Sequence, residues 1–254
     1  MRGRRSVSGD APCGGGSLRS PTEAWKPRVP LAAETSVVFL LDVDNTLLDN
    51  DRVTADLRHH LRSEVGADCA ERYFEILEQL REERGYADYL GALQRYRTAH
   101  THEHRLSAVA SFLLSYPFAH RVFPGALEAL DHLAAFGRTV IVSDGDVVFQ
   151  PRKIERSGLG AAVEGRILVY IHKEQELEDV ERCFPARRYV LVDDKVRILT
   201  AVKQLWGDRV TTVFPRQGHY AHDEKVGTYP RPDITIEGIG ELRDYDLPSL
   251  LRTR

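Results

Sequence analysis

The sequence predicts an α/β protein: a doubly wound parallel sheet with helices on both faces, and a small all-helical domain inserted after the first strand. Residues 37–41 form an apolar run of branched and aromatic side chains, which is typical of a buried strand. Residues 54–116 carry apolar side chains at helical spacing. Beyond residue 126, short apolar runs alternate with amphipathic stretches, and this alternation predicts parallel strands connected by helices.

The inserted region is expected to hold three to five helices, because its apolar residues recur three and four positions apart. It contains no proline before Pro117, and Pro117 and Pro124 mark its end. The elements predicted after it are, in chain order, a helix at 126–136, a strand at 139–142, a helix at 149–157, a strand at 167–171, a helix at 175–183, a strand at 189–192, a helix at 198–206, and strands at 210–214 and 234–236.

These patterns divide the chain into three parts. Residues 1–33 are rich in Arg, Gly, Ser and Pro, a composition that predicts a disordered tail. We expect residues 34–50 and 120–254 to form the α/β core, and residues 51–119 to form the helical domain. With 254 residues, 42% of them hydrophobic, the chain can bury one ordinary core and a smaller one.

Charge and cysteine content narrow the class of protein. The net charge is only −3, so nothing points to nucleic acid or to a membrane surface as a partner. No apolar stretch approaches the roughly 18 residues that span a bilayer. The three cysteines, Cys13, Cys69 and Cys183, are far apart and odd in number, which argues against a disulfide framework and favours a cytoplasmic location.

Two aspartates, Asp42 and Asp44, directly follow the first apolar run, and Thr46 comes two residues later. In open α/β sheets the carboxyl edge, where a strand ends, is where ligands bind. Like charges this close repel each other, and a bound cation is the usual remedy. The segment therefore predicts a hard metal ion and an anionic substrate, although Asp, Asn and Thr are also common in helix N-caps and turns.

Polar residues follow three further predicted strands: Ser143 after the strand at 139–142, Lys173 after the strand at 167–171, and Asp193 and Asp194 after the strand at 189–192. Right-handed crossovers bring all these strand ends to one side of the sheet. Each residue alone could serve as a cap or a solvated loop residue. Together they predict a single site built from carboxylates, a hydroxyl and an ammonium group.

These ordered motifs resemble those of the haloacid dehalogenase superfamily of phosphohydrolases, and the likeness covers about residues 36–240. The resemblance implies a Rossmann-like core and identifies the helical insertion as a mobile C1-type cap. It also implies an Mg²⁺-dependent phosphatase acting on a small phosphorylated metabolite, because a C1 cap usually encloses the site. The sequence indicates no oligomeric state.

The resemblance assigns a role to each motif residue. Asp42 would be the nucleophile that forms an aspartyl-phosphate, and Asp44 the acid and base that serves the leaving group and then water. Thr46 would hold Asp44, Ser143 would hydrogen-bond a phosphoryl oxygen, and Lys173 would neutralise Asp42 and the phosphoryl charge.

The metal site carried over from the resemblance is built from the same strand ends. Mg²⁺ would bind the Asp42 carboxylate, the Asp44 backbone carbonyl and Asp194, with Asp193 helping directly or through water.

Two residues near these motifs, Asp144 and Lys153, carry charges of their own. Asp144 stands where the family often has asparagine, and we expect its side chain to point away from the phosphate. Lys153 competes with Lys173 for the lysine role, but its place within a helix fits packing or a surface position better, so Lys173 is preferred.

The motif residues are also compatible with activities other than a phosphatase. Asp44 disfavours a dehalogenase, since a halide needs no proton, and residues 54–122 lack the lysine that a phosphonatase would require. A phosphomutase, or a non-catalytic phosphate-binding protein, would keep the same residues. The arginines and histidines of the insertion would suit a cationic lid over an anionic leaving group, but a solvated helix face is the preferred interpretation. His100, His102 and His104 are poorly spaced to bind zinc from a helix.

Overall fold

The computed structural model describes residues 35–99 and 105–253, which form an α/β architecture. Its sheet has six parallel strands within the described ranges, in the order β3-β2-β1-β4-β5-β6. The strands are β1 Thr35–Leu41, β2 Arg138–Asp144, β3 Ile167–Tyr170, β4 Ala186–Val192, β5 Val210–Pro215 and β6 Ile234–Ile236. The predicted fold class, with its helices between parallel strands, is confirmed. The tail predicted for residues 1–33 lies outside the described residues.

The helices were placed correctly in number and order for most of the chain. They are α1 Asn50–Val65, α2 Ala67–Arg84, α3 Tyr89–Ala99, α4 Leu106–Ser115, α5 Ala126–Ala134, α6 Phe149–Arg156, α7 Leu159–Ala162, α8 Leu177–Cys183, α9 Val196–Trp206 and α10 Leu247–Leu250. Short 3₁₀ turns occupy Phe118–Arg121, Lys173–Gln175, Gly207–Arg209, His219–His222, Glu224–Thr228 and Ile239–Asp244. The sequence pattern missed α7 and α10, which are each a single turn and carry little periodicity.

The strand order places the site. The chain runs outward from β1 to β2 and β3, then returns to β4 on the other side of β1. This reversal is the switch point of a doubly wound sheet, where a crevice opens at the carboxyl ends of the strands. Leu41 at the end of β1 pairs with Val192 at the end of β4, so the residues that follow both strands begin side by side.

The end of β2 differs from the sequence prediction. The predicted strand stops at residue 142, but Ser143 and Asp144 remain in the strand, paired with Val169 and Tyr170 of β3. Backbone pairing with β3 keeps these two polar residues in the strand. The prediction ended the strand too early because it relied on apolar side chains alone. Ser143 therefore sits on a strand rather than on a loop.

The helical insertion consists of α1–α4, residues 50–115, within the described ranges. The side chain of Asp49 accepts a hydrogen bond from the backbone N–H of Arg52, so α1 has an ordinary N-cap. The helix begins at Asn50, four residues before the apolar pattern at 54–116. Buried α1 residues recur every four positions at Val53, Leu57 and Leu61. The domain boundaries at 50/51 and 119/120 stay predictions.

The insertion and the sheet share one apolar core. Tyr89 at the start of α3 packs against Phe149 at the start of α6, with ring centroids 5.2 Å apart. Phe118 lies on the other side of Phe149, at 5.8 Å. Burial of such large rings is a major source of stability. The aromatic contacts thus fix the base of the insertion against the sheet.

Among the described residues, no helix combines the length and the apolar character needed to cross a bilayer.

Candidate active site

The predicted site residues meet at the carboxyl ends of β1, β2 and β4. Asp42 follows β1 and its backbone N–H donates to Val192 O at 3.0 Å, which continues the pairing of β1 with β4. The backbone N–H of Asp193 donates to Val213 O at 3.2 Å in the same way. Asp42, Asp193 and Asp194 are all almost fully buried, so the sheet holds three carboxylates in a poorly solvated place.

Lys173 supplies the positive charge that this group of carboxylates needs. Its Nζ lies 2.5 Å from Asp42 Oδ1 and 2.7 Å from Asp193 Oδ2, and it also donates to Val142 O at 3.3 Å. Burial alone would lower the pKa of Lys173, but the carboxylates of Asp193 and Asp42 raise it well above its usual value. Lys173 is therefore a permanent ammonium group between two aspartates.

Ser143 contacts the same oxygen of Asp42 as Lys173 does. Its hydroxyl donates to Asp42 Oδ1 at 3.5 Å and accepts a hydrogen bond from Gln150 Nε2 at 2.9 Å. Gln150 was not predicted as a site residue, since one glutamine in a helix gives no signal in a single sequence. It is 3% exposed, and its amide fixes the orientation of the Ser143 hydroxyl.

Asp144 turns toward the backbone of Lys173 and not toward Asp42. Its Oδ1 accepts a hydrogen bond from the Lys173 backbone N–H at 2.8 Å. Burial raises the pKa of Asp144, although the charges of Lys173 and Lys195 oppose this effect. The residue that departs from the usual family pattern thus anchors the loop that carries Lys173.

Three carboxylates form a compact oxygen cluster. One oxygen from each of Asp42, Asp193 and Asp194 can be chosen so that all lie within 4.8 Å of one another. Asp42 Oδ2 and both oxygens of Asp194 are buried and make no hydrogen bond within the described part of the chain. Unpaired buried carboxylate oxygens are costly, and hard divalent cations take such ligands. The residues therefore fit a Mg²⁺ ion.

The charges around this cluster lead to the same conclusion. Burial raises the pKa of Asp193 to about 6, with Lys173 opposing, and burial raises the pKa of Asp194 well above its usual value despite the nearby Lys195. Bringing these acids together without a further cation therefore favours protonation of the acids. A divalent ion would remove that pressure.

Thr46 connects the first and the fourth strand end. Its hydroxyl accepts a hydrogen bond from the backbone N–H of Asp194 at 3.0 Å. The role expected for Thr46 was to hold Asp44, and the hydrogen bond found holds Asp194 instead. The reason is the parallel register, which sets the loop after β4 directly against the loop after β1.

Asp44 lies apart from the three-carboxylate cluster and pairs with Lys153. Lys153 Nζ is 2.7 Å from Asp44 Oδ1 and 2.9 Å from Oδ2. The lysine side chain is 1% exposed and the aspartate side chain 26% exposed. The surface position considered for Lys153 is therefore wrong, because the first turns of α6 pack directly beneath the loop after β1. Lys173, not Lys153, contacts Asp42.

Asn45 shapes the loop between the two aspartates and α1. It has a φ of 62°, a left-handed conformation that asparagine tolerates better than most residues. Its Oδ1 accepts hydrogen bonds from the backbone N–H groups of Asn50 at 3.0 Å and Asp51 at 3.2 Å. Asn45 thereby joins the loop after β1 to the start of the insertion, a role that the sequence alone did not show.

The loop after β5 packs against the same segment. Gln217 Nε2 donates to Thr46 O at 3.1 Å, and His219 Nδ1 lies 2.6 Å from Asp51 Oδ1. Gly218 comes so close that a Cβ added to it would lie 2.5 Å from Asn45 Cβ. The loop after β5 thus supports the loop that carries Asp42 and Asp44.

The charged residues of the insertion are only partly described. Arg95 pairs with Glu83 at 2.7 Å and Arg121 pairs with Asp56 at 2.6 Å, both on accessible surface. The three histidines His100, His102 and His104 lie outside the described residues.

Fold and site together define an α/β protein with an acid-rich active site at the switch point of its sheet. A model of the haloacid dehalogenase-like hydrolases matches residues 37–205, which is more than half of the chain. The chain therefore belongs to the haloacid dehalogenase-like hydrolase family, as the strand-end motifs indicated. No curated protein matches it.

Solved structures agree with this family. A protein from Burkholderia xenovorans LB400, designated a haloacid dehalogenase-like hydrolase, is 61% identical with a TM-score of 0.82, and the match covers 86% of this chain and 100% of that one. L-2-haloacid dehalogenase from Xanthobacter autotrophicus is similar in fold, with 15% identity, a TM-score of 0.57, and coverage of 82% and 96%. The hydrolase YfnB from Bacillus subtilis, whose structure contains magnesium, has 18% identity, a TM-score of 0.55, and coverage of 83% and 98%.

Proposed function

We propose that this hydrolase is a Mg²⁺-dependent phosphatase that acts on a small phosphorylated metabolite through an aspartyl-phosphate on Asp42. One observation carries the proposal. Two residues after the buried, lysine-paired Asp42 stands a second carboxylate, Asp44, whose side chain remains 26% exposed. A phosphate ester needs a proton donor for its leaving alkoxide, whereas a halide does not.

In the first half of the reaction a carboxylate oxygen of Asp42 attacks phosphorus. The bond from phosphorus to the leaving oxygen breaks, and Asp44 gives that oxygen a proton. Ser143 donates a hydrogen bond and Lys173 positive charge near the phosphoryl oxygens as charge moves onto them. The substrate alcohol leaves and the phosphoryl group stays on Asp42.

In the second half a water molecule attacks the same phosphorus. Asp44, now ionised, takes a proton from this water, and the bond between phosphorus and the Asp42 oxygen breaks. Inorganic phosphate leaves, Asp42 is restored as a carboxylate, and Asp44 again carries its proton. Lys173 holds Asp42 in place through both steps, because its ammonium contacts Asp42 Oδ1 at 2.5 Å.

The carboxylates of Asp42, Asp194 and Asp193, with the Asp44 backbone carbonyl, would hold Mg²⁺. When bound, the ion would offset the charge of the phosphoryl oxygens and of the clustered acids. The unpaired buried oxygens of Asp42 and Asp194 support this part of the proposal. The magnesium in the B. subtilis protein of similar fold is compatible with it.

The helical insertion is proposed as the cap over this site, which favours a small substrate over a protein. Cytoplasmic location stays a prediction, with which the free thiols of Cys69 and Cys183 agree. Nucleic acid and membrane partners are not expected.

The proposal is tested by phosphate release from a panel of phosphorylated metabolites, with and without Mg²⁺. We expect release that needs Mg²⁺ and that disappears in Asp42→Asn while the circular dichroism spectrum is unchanged. Isomerisation of a sugar phosphate would favour a mutase. Binding of phosphate without turnover would favour a non-catalytic protein, and chloride release from a 2-haloacid would overturn the phosphatase assignment.

A further inference from the structure

Lys153 is a buried charged residue that the proposed reaction does not use. It lies in α6, three residues after Gln150, and its side chain is 1% exposed. A buried lysine is stable as an ammonium only where its donors find partners. The hydrogen-bond partners of Lys153 therefore indicate its role.

All three donors of the Lys153 ammonium have an acceptor. Two are the carboxylate oxygens of Asp44, at 2.7 and 2.9 Å, and the third is Asn50 Oδ1 at 3.0 Å. The rings of Phe149 and Tyr89 lie 5.3 and 5.8 Å from the nitrogen and screen it from water. An ammonium group has three N–H donors, and because each of them has an acceptor here, the orientation of the Lys153 ammonium is fixed.

This arrangement also fixes Asp44. A carboxylate that accepts from the same ammonium through both oxygens cannot rotate freely about its side-chain bonds. Asp44 has to reach the leaving oxygen first and water second, and misplacement by about 1 Å can cost about 100-fold in rate. The side chain that performs proton transfer thus rests on a buried support.

Asn50 extends the support into the helical insertion. Its Nδ2 donates to the Tyr89 hydroxyl at 3.2 Å, and that hydroxyl lies 3.0 Å from Thr54 Oγ1. Asn50 begins α1 and Tyr89 begins α3, so Lys153 is bonded to the base of the insertion as well as to Asp44.

We propose that Lys153 is a positioning residue for Asp44: it orients the carboxylate for proton transfer and is itself held by Asn50. This role rests on the proposed phosphatase function. It predicts that Lys153 affects the reaction through Asp44, and so most strongly where the leaving group needs a proton.

The test compares kcat/KM for p-nitrophenyl phosphate, whose leaving group needs little protonation, with that for an alkyl phosphate that the wild type hydrolyses. Lys153→Met is expected to lose about 100-fold with the alkyl phosphate and less than about tenfold with p-nitrophenyl phosphate. In the Asp44→Asn background the same exchange is expected to have little further effect, because the two residues act as a unit. Lys153→Arg, which keeps the charge, should retain more alkyl phosphate activity than Lys153→Met.

Lys203→Met is the matched control, since Lys203 also contacts both oxygens of an aspartate, Asp233, at 3.0 and 2.9 Å. That pair lies by Val210, at the amino end of β5 and away from the site. The kcat/KM values for both substrates should therefore be unchanged in Lys203→Met. Thermal unfolding checks each variant. If Lys153→Met does not fold, Asn50→Ala serves instead, with a smaller loss in the same leaving-group pattern.

Equal losses with both substrates, or additive losses with Asp44→Asn, would overturn the positioning role while the phosphatase assignment stands. A wild-type enzyme that releases no phosphate from either ester with Mg²⁺ would overturn the phosphatase assignment, and this role with it.

Discussion

Lys173 and Asp42 form a buried ion pair, with 2.5 Å between Nζ and Oδ1 and side chains that are 3% and 4% exposed. The same ammonium also contacts Asp193 Oδ2 at 2.7 Å. A single lysine from the loop after β3 therefore contacts the residues that follow two strands, β1 and β4, and we expect its loss to change both the charge balance and the proposed reaction.

Lys173→Met is expected to reduce kcat by at least about 100-fold, as does removal of one preorganised donor to developing charge. The free energy of unfolding should fall by about 3 kcal/mol without metal, because two buried carboxylates lose their partner. Urea unfolding with and without Mg²⁺ measures this, and the ion should restore part of the loss. Unchanged turnover would exclude Lys173 from the reaction.

Asp44→Asn is expected to slow the hydrolysis of an alkyl phosphate by about 100-fold or more, since general acid catalysis contributes on that scale. p-Nitrophenyl phosphate, with its better leaving group, should suffer less in the step that releases the alcohol. Steady-state and burst kinetics distinguish the two steps. Equal loss with both esters would contradict the acid role of Asp44.

Stabilisation by Mg²⁺ should depend on pH. Burial raises the pKa of Asp193 to about 6, and that of Asp194 well above its usual value, so the metal-free folded state holds protons that the unfolded chain releases. The stability of the metal-free protein therefore falls as the pH rises from about 4 through the folded-state pKa values of Asp193 and Asp194. We expect Mg²⁺ to raise Tm more at about pH 8 than at about pH 5, because it competes with protons at low pH.

Asp194→Asn is the control for the metal measurement. It should weaken the shift in Tm at both pH values, while Asp208→Asn, on an exposed turn away from the site, should not. A shift in Tm that is equal at the two pH values in the wild type would argue against Asp193 and Asp194 as the ligands.

Gly218→Ala should disturb the loop after β1. Gly218 has a φ of 67°, and a Cβ there would lie 2.5 Å from Asn45 Cβ. Backbone strain of this kind costs about 1–3 kcal/mol. Gly66→Ala is the matched control, with a φ of 92° and nothing within 4 Å of the added Cβ. Both variants should lower Tm, but only Gly218→Ala should also lower kcat. Equal activity in the two would contradict the supporting role of the loop.

The sequence was most informative where one strand end predicts one chemical group. Asp42, Ser143, Lys173, Asp193 and Asp194 were placed together because parallel strands with right-handed crossovers leave little freedom in where their ends lie. The family resemblance followed from the same residues, whereas the fold class followed from the alternation of apolar runs and amphipathic stretches.

The sequence could not give contacts that depend on side-chain direction across elements. Lys153 and Gln150 lie in a helix whose period does not reveal which polar residue turns inward. Thr46 bonds to the Asp194 backbone across two strands, a contact set by register that a linear pattern does not contain.

The aromatic contacts from Tyr89 to Phe149, at 5.2 Å, and from Phe149 to Phe118, at 5.8 Å, attach the insertion to α6 and to the turn at Phe118–Arg121. Rigid-body movement of the whole insertion away from α6 would expose these three large rings to water. If the insertion is the proposed cap, we expect ligand entry to involve bending of α1–α4 about these contacts rather than movement of the whole insertion. Substitutions in α1–α4 would then change which molecules reach the site without moving the residues at the strand ends.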